Sequence, residues 1–461
     1  MSRHRPTLVW LSEVLTERFG FPIIAEFSGN GDEVCLRVKK SSKSVRMAGG
    51  FKLFDRKADS IPCAQWTCSI AGWTDLFGAS IPAPGIDSCI APMVEESEHG
   101  LYLHYPLPGM IWWMLSRREE LNCVDLDHHQ RFPASASHAF RHGYLSRPVV
   151  DEWLHVLGLM FTRLWPELEQ SRSQFQVRVS HDVDRPSRFA FLGFAQLLKR
   201  AAGAAIRQRD VFAPLRAIWI WARSSKQLQM SDQLNNFDWI MDVSEQNGIQ
   251  SAFYFICGKT DNSKDADYRI EDRPIRSLLR TIHRRGHEIG LHPSYNTWLD
   301  ANAFVAEADS LRRVCREEKI EQSQWGGRMH YLRWRHPVTM QSWELAGMDY
   351  DSTLGYADMP GFRCGTCFDY PAIDPVSGNQ LNLRIRPLIA MECSVCSPTY
   401  MGLGAGGAAL DVFLKLKTAC AAVGGSFNLL WHNSELLTEE SRELYCKILT
   451  SPTLSGTAGV K

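Results

Sequence analysis

The 461-residue chain carries 51 Lys and Arg against 51 Asp and Glu, so its formal charge is zero and its bulk electrostatics exclude a general nucleic-acid binder. At 44% hydrophobic and 22% charged it has the makeup of an ordinary folded protein, long enough for two domains. No run is long and apolar enough to cross a bilayer, and Met1-Ser-Arg-His-Arg-Pro6 has no apolar signal core after it. The thirteen cysteines are scattered rather than framed for disulfides, so the expected setting is the reducing cytoplasm.

Residues 1–168 read as an α/β module. Leu8, Leu11, Leu15 and Phe19 have helical spacing over Thr7 to Phe19, and residues 22–27 and 34–38 alternate as strands. Two more helices are expected near 108–117 and 149–165. The cluster Ile111-Trp-Trp-Met114 is read as core, and no motif in this part carries chemistry.

From Phe175 the rhythm changes to short apolar strands separated by helical stretches, the signature of parallel strands with crossover helices. The expected strands are 175–180, 251–257, 288–292, 330–334, 350–356, 383–393 and 426–432. Their C-terminal ends collect the ionisable residues, as barrel enzymes do. Residues 169–450 are therefore expected to form a distorted (β/α)7 barrel behind the smaller α/β domain. A basic helical insertion occupies about 185–250. Its first part carries Arg185, Arg188, Lys199, Arg200, Arg207, Arg209, Arg216, Arg223 and Lys226 against one acid, Asp210, interleaved with aromatic and aliphatic residues. Such a segment is either a helical lid over the barrel or, through 185–226, a peripheral contact with an anionic membrane at the inner surface.

Chemistry concentrates at four strand ends. Ser180-His-Asp-Val-Asp184 closes the first strand, and alternation puts Asp182 and Asp184 on one face, where the pair can hold a hard cation and abstract a proton. Gly286-His-Glu-Ile-Gly-Leu-His-Pro-Ser-Tyr-Asn296 follows the third strand, Tyr331-Leu-Arg-Trp-Arg-His-Pro337 the fourth, and Leu429-Leu-Trp-His-Asn433 the seventh. In order and context these resemble the polysaccharide deacetylase family, carbohydrate esterases on a distorted (β/α) barrel, over roughly residues 175–435. The nearest subgroup in pattern couples the barrel to an N-terminal module of unknown role.

The resemblance implies a hydrolase that removes an acetyl group from an N-acetylated sugar or glycan precursor with a divalent metal, commonly zinc. By match of position, Asp182 is the expected base, Asp184 and His292 metal ligands, and His432 the general acid. Arg333 or Arg335 would orient the base carboxylate. The family's second histidine, four residues after the first, is Asn296 here, so a third ligand is sought among Asn296, His181, His336 and Glu392. Glu392, on the same rim, and Arg363, in the glycine-bearing loop 361–368, are expected to meet the substrate. Two alternatives stand beside this reading: a non-catalytic saccharide-binding relative, favoured by Asn296, and a metal-independent amide hydrolase on the same barrel. The pairs Cys364/Cys367 and Cys393/Cys396 are either a structural zinc site or ordinary thiols.

Overall fold

The computed structural model describes residues 4–28, 32–39, 41–73, 76–78, 80–208 and 212–453. Arg209 and Asp210 of the basic insertion lie outside them. Near the N-terminus, helix Arg5–Phe19 buries Leu8, Leu11, Val14, Leu15 and Phe19 on one face, as their spacing dictates. It packs on strand Ile23–Phe27 of a five-stranded sheet. Helices Leu107–Leu115 and Val149–Leu164 complete this part, and Ile111 to Met114 are buried, as a core reading requires.

The larger sheet has nine strands: β1 (Gln176–Val183), β2 (Ala252–Phe255), β3 (Glu288–Leu291), β4 (Gly326–Gly327), β5 (Tyr350–Asp351), β6 (Tyr370–Ile373), β7 (Gln380–Ile385), β8 (Ala390–Met391) and β9 (Ser426–Leu430). β1 to β5 pair in parallel in sequence order, β7 is parallel to β5, and β8 to β9, which returns to β1. β7 and β8 are two ends of one extended run: Leu388 still donates to Leu354, and Ile389 already donates to Asn428. That run therefore joins the last parallel neighbour on one side to the first on the other, closing a ring of seven. This is the distorted (β/α)7 barrel of the expected α/β class, with β6 added antiparallel on β7.

The crossover helices follow from pattern and capping. In Ala301–Glu317, Phe304, Ala308, Leu311 and Cys315 line one buried face, and the Asp300 side chain caps the start by accepting from the Ala303 amide. The fourth strand corrects the sequence reading. Residues 330–332 form a 3-10 turn in which Tyr331 and Leu332 are left-handed, while the strand is the pair Gly326–Gly327. Only glycine fits there. A Cβ on Gly326 would lie 2.2 Å from the Tyr350 ring, and one on Gly327 1.9 Å from the Leu291 carbonyl oxygen.

One contiguous apolar core runs from Trp10, Trp113 and Trp153 through to Val183, Phe253 and Ile289, so the N-terminal sheet and the barrel share it. Polar bonds cross the same seam. The Trp10 indole donates to the Pro371 carbonyl, the Tyr370 hydroxyl to the Leu115 carbonyl, and the Asp151 carboxylate accepts from Thr366 and the Cys367 amide. The insertion forms a hairpin of helices Phe194–Gln208 and Ala213–Arg223. Its small core of Phe189, Leu192, Leu197, Ala201, Ala217 and Ile220 is separate from the main one.

Candidate active site

A cleft of about 1260 Å³ opens at the C-terminal ends of the barrel strands, lined by Asp184, His330, Tyr331, Cys393 and His432 and walled by the hairpin residues Gln196, Lys199 and Arg200. Alternation along β1 sends Ser180, Asp182 and Asp184 to one face and His181 to the other. His181 stacks on Phe253 and bonds the Trp431 carbonyl, away from the cleft.

Asp184, His292 and His330 converge at the floor, with one donor atom of each within 4.8 Å of the others. His292 Nε2 lies 3.4 Å and His330 Nε2 3.7 Å from Asp184 Oδ1. Each ring is fixed from behind: His292 Nδ1 bonds the Arg328 carbonyl at 2.6 Å, and His330 Nδ1 meets Asp265 Oδ1 at 3.1 Å. With Nδ1 so engaged, Nε2 of each ring turns its lone pair to the centre. Asp184 Oδ1 and His292 Nε2 are buried and have no hydrogen-bond partner in the protein. Burial disfavours charge on Asp184, yet His330, His292 and His432 hold its carboxyl well below the ordinary range. Burial likewise disfavours charge on His292, and Asp182 and Asp184 outweigh it and raise the ring. A buried spot with that negative field and two aimed, unpartnered donor atoms fits a divalent cation. Two imidazoles and a carboxylate are the donor set of zinc or a similar metal with a position left open.

Asp182 sits beside this centre, 3.7 Å from His292 Nε2. Its partner is Arg328, whose Nη1 donates to Asp182 Oδ1 at 2.8 Å while its other nitrogens reach Ser180 Oγ, Ser352 Oγ and the Ser352 carbonyl. Next to both carboxylates, His432 Nε2 stands 4.0 Å from Asp182 Oδ2 and 3.9 Å from Asp184 Oδ2. Its Nδ1 is bonded to Glu392 Oε1 at 2.5 Å, and Glu392 also accepts the His432 amide. Burial disfavours the imidazolium, but the Glu392 carboxylate raises it well above the ordinary histidine range.

Several sequence expectations are corrected by this geometry. Arg333 and Arg335 do not reach Asp182. Arg333 is buried between the Tyr295 and Trp298 rings and donates to the His129, Tyr295 and Asn296 oxygens, while Arg335 points to solvent. The left-handed turn at Tyr331–Leu332 redirects the chain before either position. Asn296 is exposed and bonded to the Thr260 carbonyl, so His330 takes the place sought for it. His336 lies buried 3.7 Å from Glu120, in the seam with the N-terminal part. Arg363 is 2% exposed, chelates Glu120 and donates to the Gly355 carbonyl, so it cannot meet a substrate. Glu392, equally buried, contacts His432 rather than the cleft.

The cysteine pairs are apart in role. Cys364 and Cys367 are buried at the seam, Cys393 stands 4.0 Å from His432 Nδ1, and among the described residues no four-cysteine cluster forms. Sequence reading missed His330, Arg328 and Asp265. The signal for the first two was the Gly326-Gly327 pair placed just ahead of Arg328-Met-His330. Asp265, in a loop, has none.

Comparisons with known proteins bear on the two halves separately. A family of unknown function, DUF7033, matches residues 28–166. No curated protein matches the chain in sequence. Among solved structures, the chain is similar to a protein from Mycobacterium smegmatis described as a polysaccharide deacetylase, at 16% identity and a TM-score of 0.37, over 61% of this chain and 86% of the other. It is also similar to the PuuE allantoinase, at 12% identity and a TM-score of 0.35, over 60% and 84%.

Proposed function

We propose that the chain is a metal-dependent hydrolase that cleaves an amide carbon–nitrogen bond, removing acetyl from an N-acetylated saccharide or glycan precursor. The observation that carries the reading is the placement of a carboxylate, Asp182, and a carboxylate-backed histidine, His432, within about 4 Å of members of the Asp184–His292–His330 donor set in one cleft. The chemistry an ion supplies in such a set is polarisation of a carbonyl and acidification of water. Asp182, its Oδ1 bonded to Arg328, leaves Oδ2 facing the centre as the proton acceptor. His432, held by Glu392 in the raised-pKa, proton-bearing form, is placed to give a proton to the departing amine nitrogen. The hydroxylated, N-acetylated substrate class comes from the sequence resemblance. What supports it here is an open cleft that carries charged side chains such as Arg188, Lys264 and Glu435 among its lining. Asn296 had favoured a non-catalytic binder, and with His330 supplying the third donor that reason falls away.

The test is metal content and acetate release together. Purified protein loaded with zinc should hold about one equivalent, lost in Asp184→Ala, His292→Ala and His330→Ala and kept in Asn296→Ala. Asp182→Asn and His432→Gln should retain metal while acetate release from N-acetylated sugars falls by about 10²–10⁴-fold. Wild-type protein that takes up no metal under loading sinks the reading.

A further inference from the structure

The helical hairpin of the insertion is apolar on two sides. Ala217, Ile220 and Trp221 face its own small core, the Trp221 indole donating to the Leu192 carbonyl. On the second helix, Leu215, Ile218, Trp219 and Ala222 repeat at the i, i+3, i+4, i+7 spacing and form a separate stripe turned to solvent, with Leu215 65%, Trp219 44% and Ile218 36% exposed. Phe212, just ahead, is 66% exposed, and Phe194 and Leu198 of the first helix add to the surface. Single exposed apolar residues need no explanation, but a continuous stripe of large ones does.

Cations border it. Arg223 ends the same helix, its guanidinium 4.8 Å from the Trp219 ring centre, and exposed Lys226 comes next. Neither helix sequence contains an acidic residue.

We propose that this hairpin seats the protein on an anionic lipid surface. Leucine, isoleucine and tryptophan at the headgroup boundary, with guanidinium and ammonium groups beside them, is the arrangement that binds bilayers in plane. The stripe helix has 11 residues, about 16 Å of rise, so it lies on the membrane rather than through it. No helix among the described residues is long and apolar enough to cross one. A second copy of the chain is the poorer occupant, because a two-fold contact would press these cations against their own equivalents. The first hairpin helix walls the catalytic cleft with Gln196, Lys199 and Arg200, so seating holds that cleft beside the bilayer, within reach of a substrate carrying a lipid anchor. The inference stands apart from the reaction proposed above.

Flotation of the full chain with vesicles tests it. Vesicles containing phosphatidylglycerol should carry the protein at low salt, and phosphatidylcholine alone should not. Leu215→Ser/Ile218→Ser/Trp219→Ser should weaken flotation at least about tenfold, and Arg223→Gln/Lys226→Gln by about tenfold, with Tm and metal content unchanged. Three results overturn the proposal: no flotation with phosphatidylglycerol, equal flotation of the triple variant, or a wild-type dimer that the triple variant dissolves without any vesicle binding.

Discussion

Arg328 does at residue scale what neither Arg333 nor Arg335 can. It is almost wholly buried, and its fork bridges Asp182 and Ser180 on β1 to Ser352 just after β5, so it ties the Asp182 carboxylate to two strands at once. Lysine cannot reproduce a planar fork. Arg328→Lys is therefore expected to lower Tm, with a loss of about 1–3 kcal/mol, and to reduce kcat by at least about tenfold. Arg335→Ala should leave both within about 0.5 kcal/mol of wild type, as suits an exposed side chain. Thermal melts and steady-state rates on the two variants check the pair.

Element by element, legibility tracked how much of a strand's identity lies in its own side chains. β1 was readable because Val177, Val179, Asp182 and Asp184 alternate within one run, and His292 and His432 because each stands within two residues of the end of an apolar strand. β4 was not, because two glycines carry no strand propensity. They are there for what surrounds them, the Tyr350 ring and the β3 backbone, which are distant in sequence. The misplaced strand drew the arginine assignment with it, since Tyr331-Leu-Arg-Trp has strand-like residues but a left-handed turn. Gly327→Ala should push β4 off β3, at about 1–3 kcal/mol, and carry Arg328 and His330 out of place. Zinc affinity should fall along with Tm, and unchanged affinity would show that the histidine is positioned some other way.

For the whole molecule, stability is shared between the N-terminal part and the barrel. Arg117, Glu119, Glu120 and Arg363 form a buried ionic chain across the seam, with Arg117–Glu120 at 2.8 Å and Arg363–Glu120 at 2.6 Å. Glu120→Ala leaves Arg363 without its carboxylate and should cost about 3–5 kcal/mol in denaturant unfolding. A pH dependence follows from two other buried groups. His138 and His181 are held neutral by burial, each with folded-state pKa lowered to about 3, and each donates to a carbonyl, of Ile61 and Trp431 respectively. Below pH about 6.5 the unfolded chain takes up protons that these two folded histidines refuse, so their contribution to stability is constant above that pH. It should fall as pH drops from about 6.5 toward 3, by up to about 1.4 kcal/mol per pH unit for each histidine. Melts over that range check it. The run that closes the barrel has one more consequence. Glu392 begins where β8 ends, so the partner of His432 is placed by the same run that closes the ring. The hydrolysis proposed above would then report ring closure: a population with its helices formed and the ring still open would be silent.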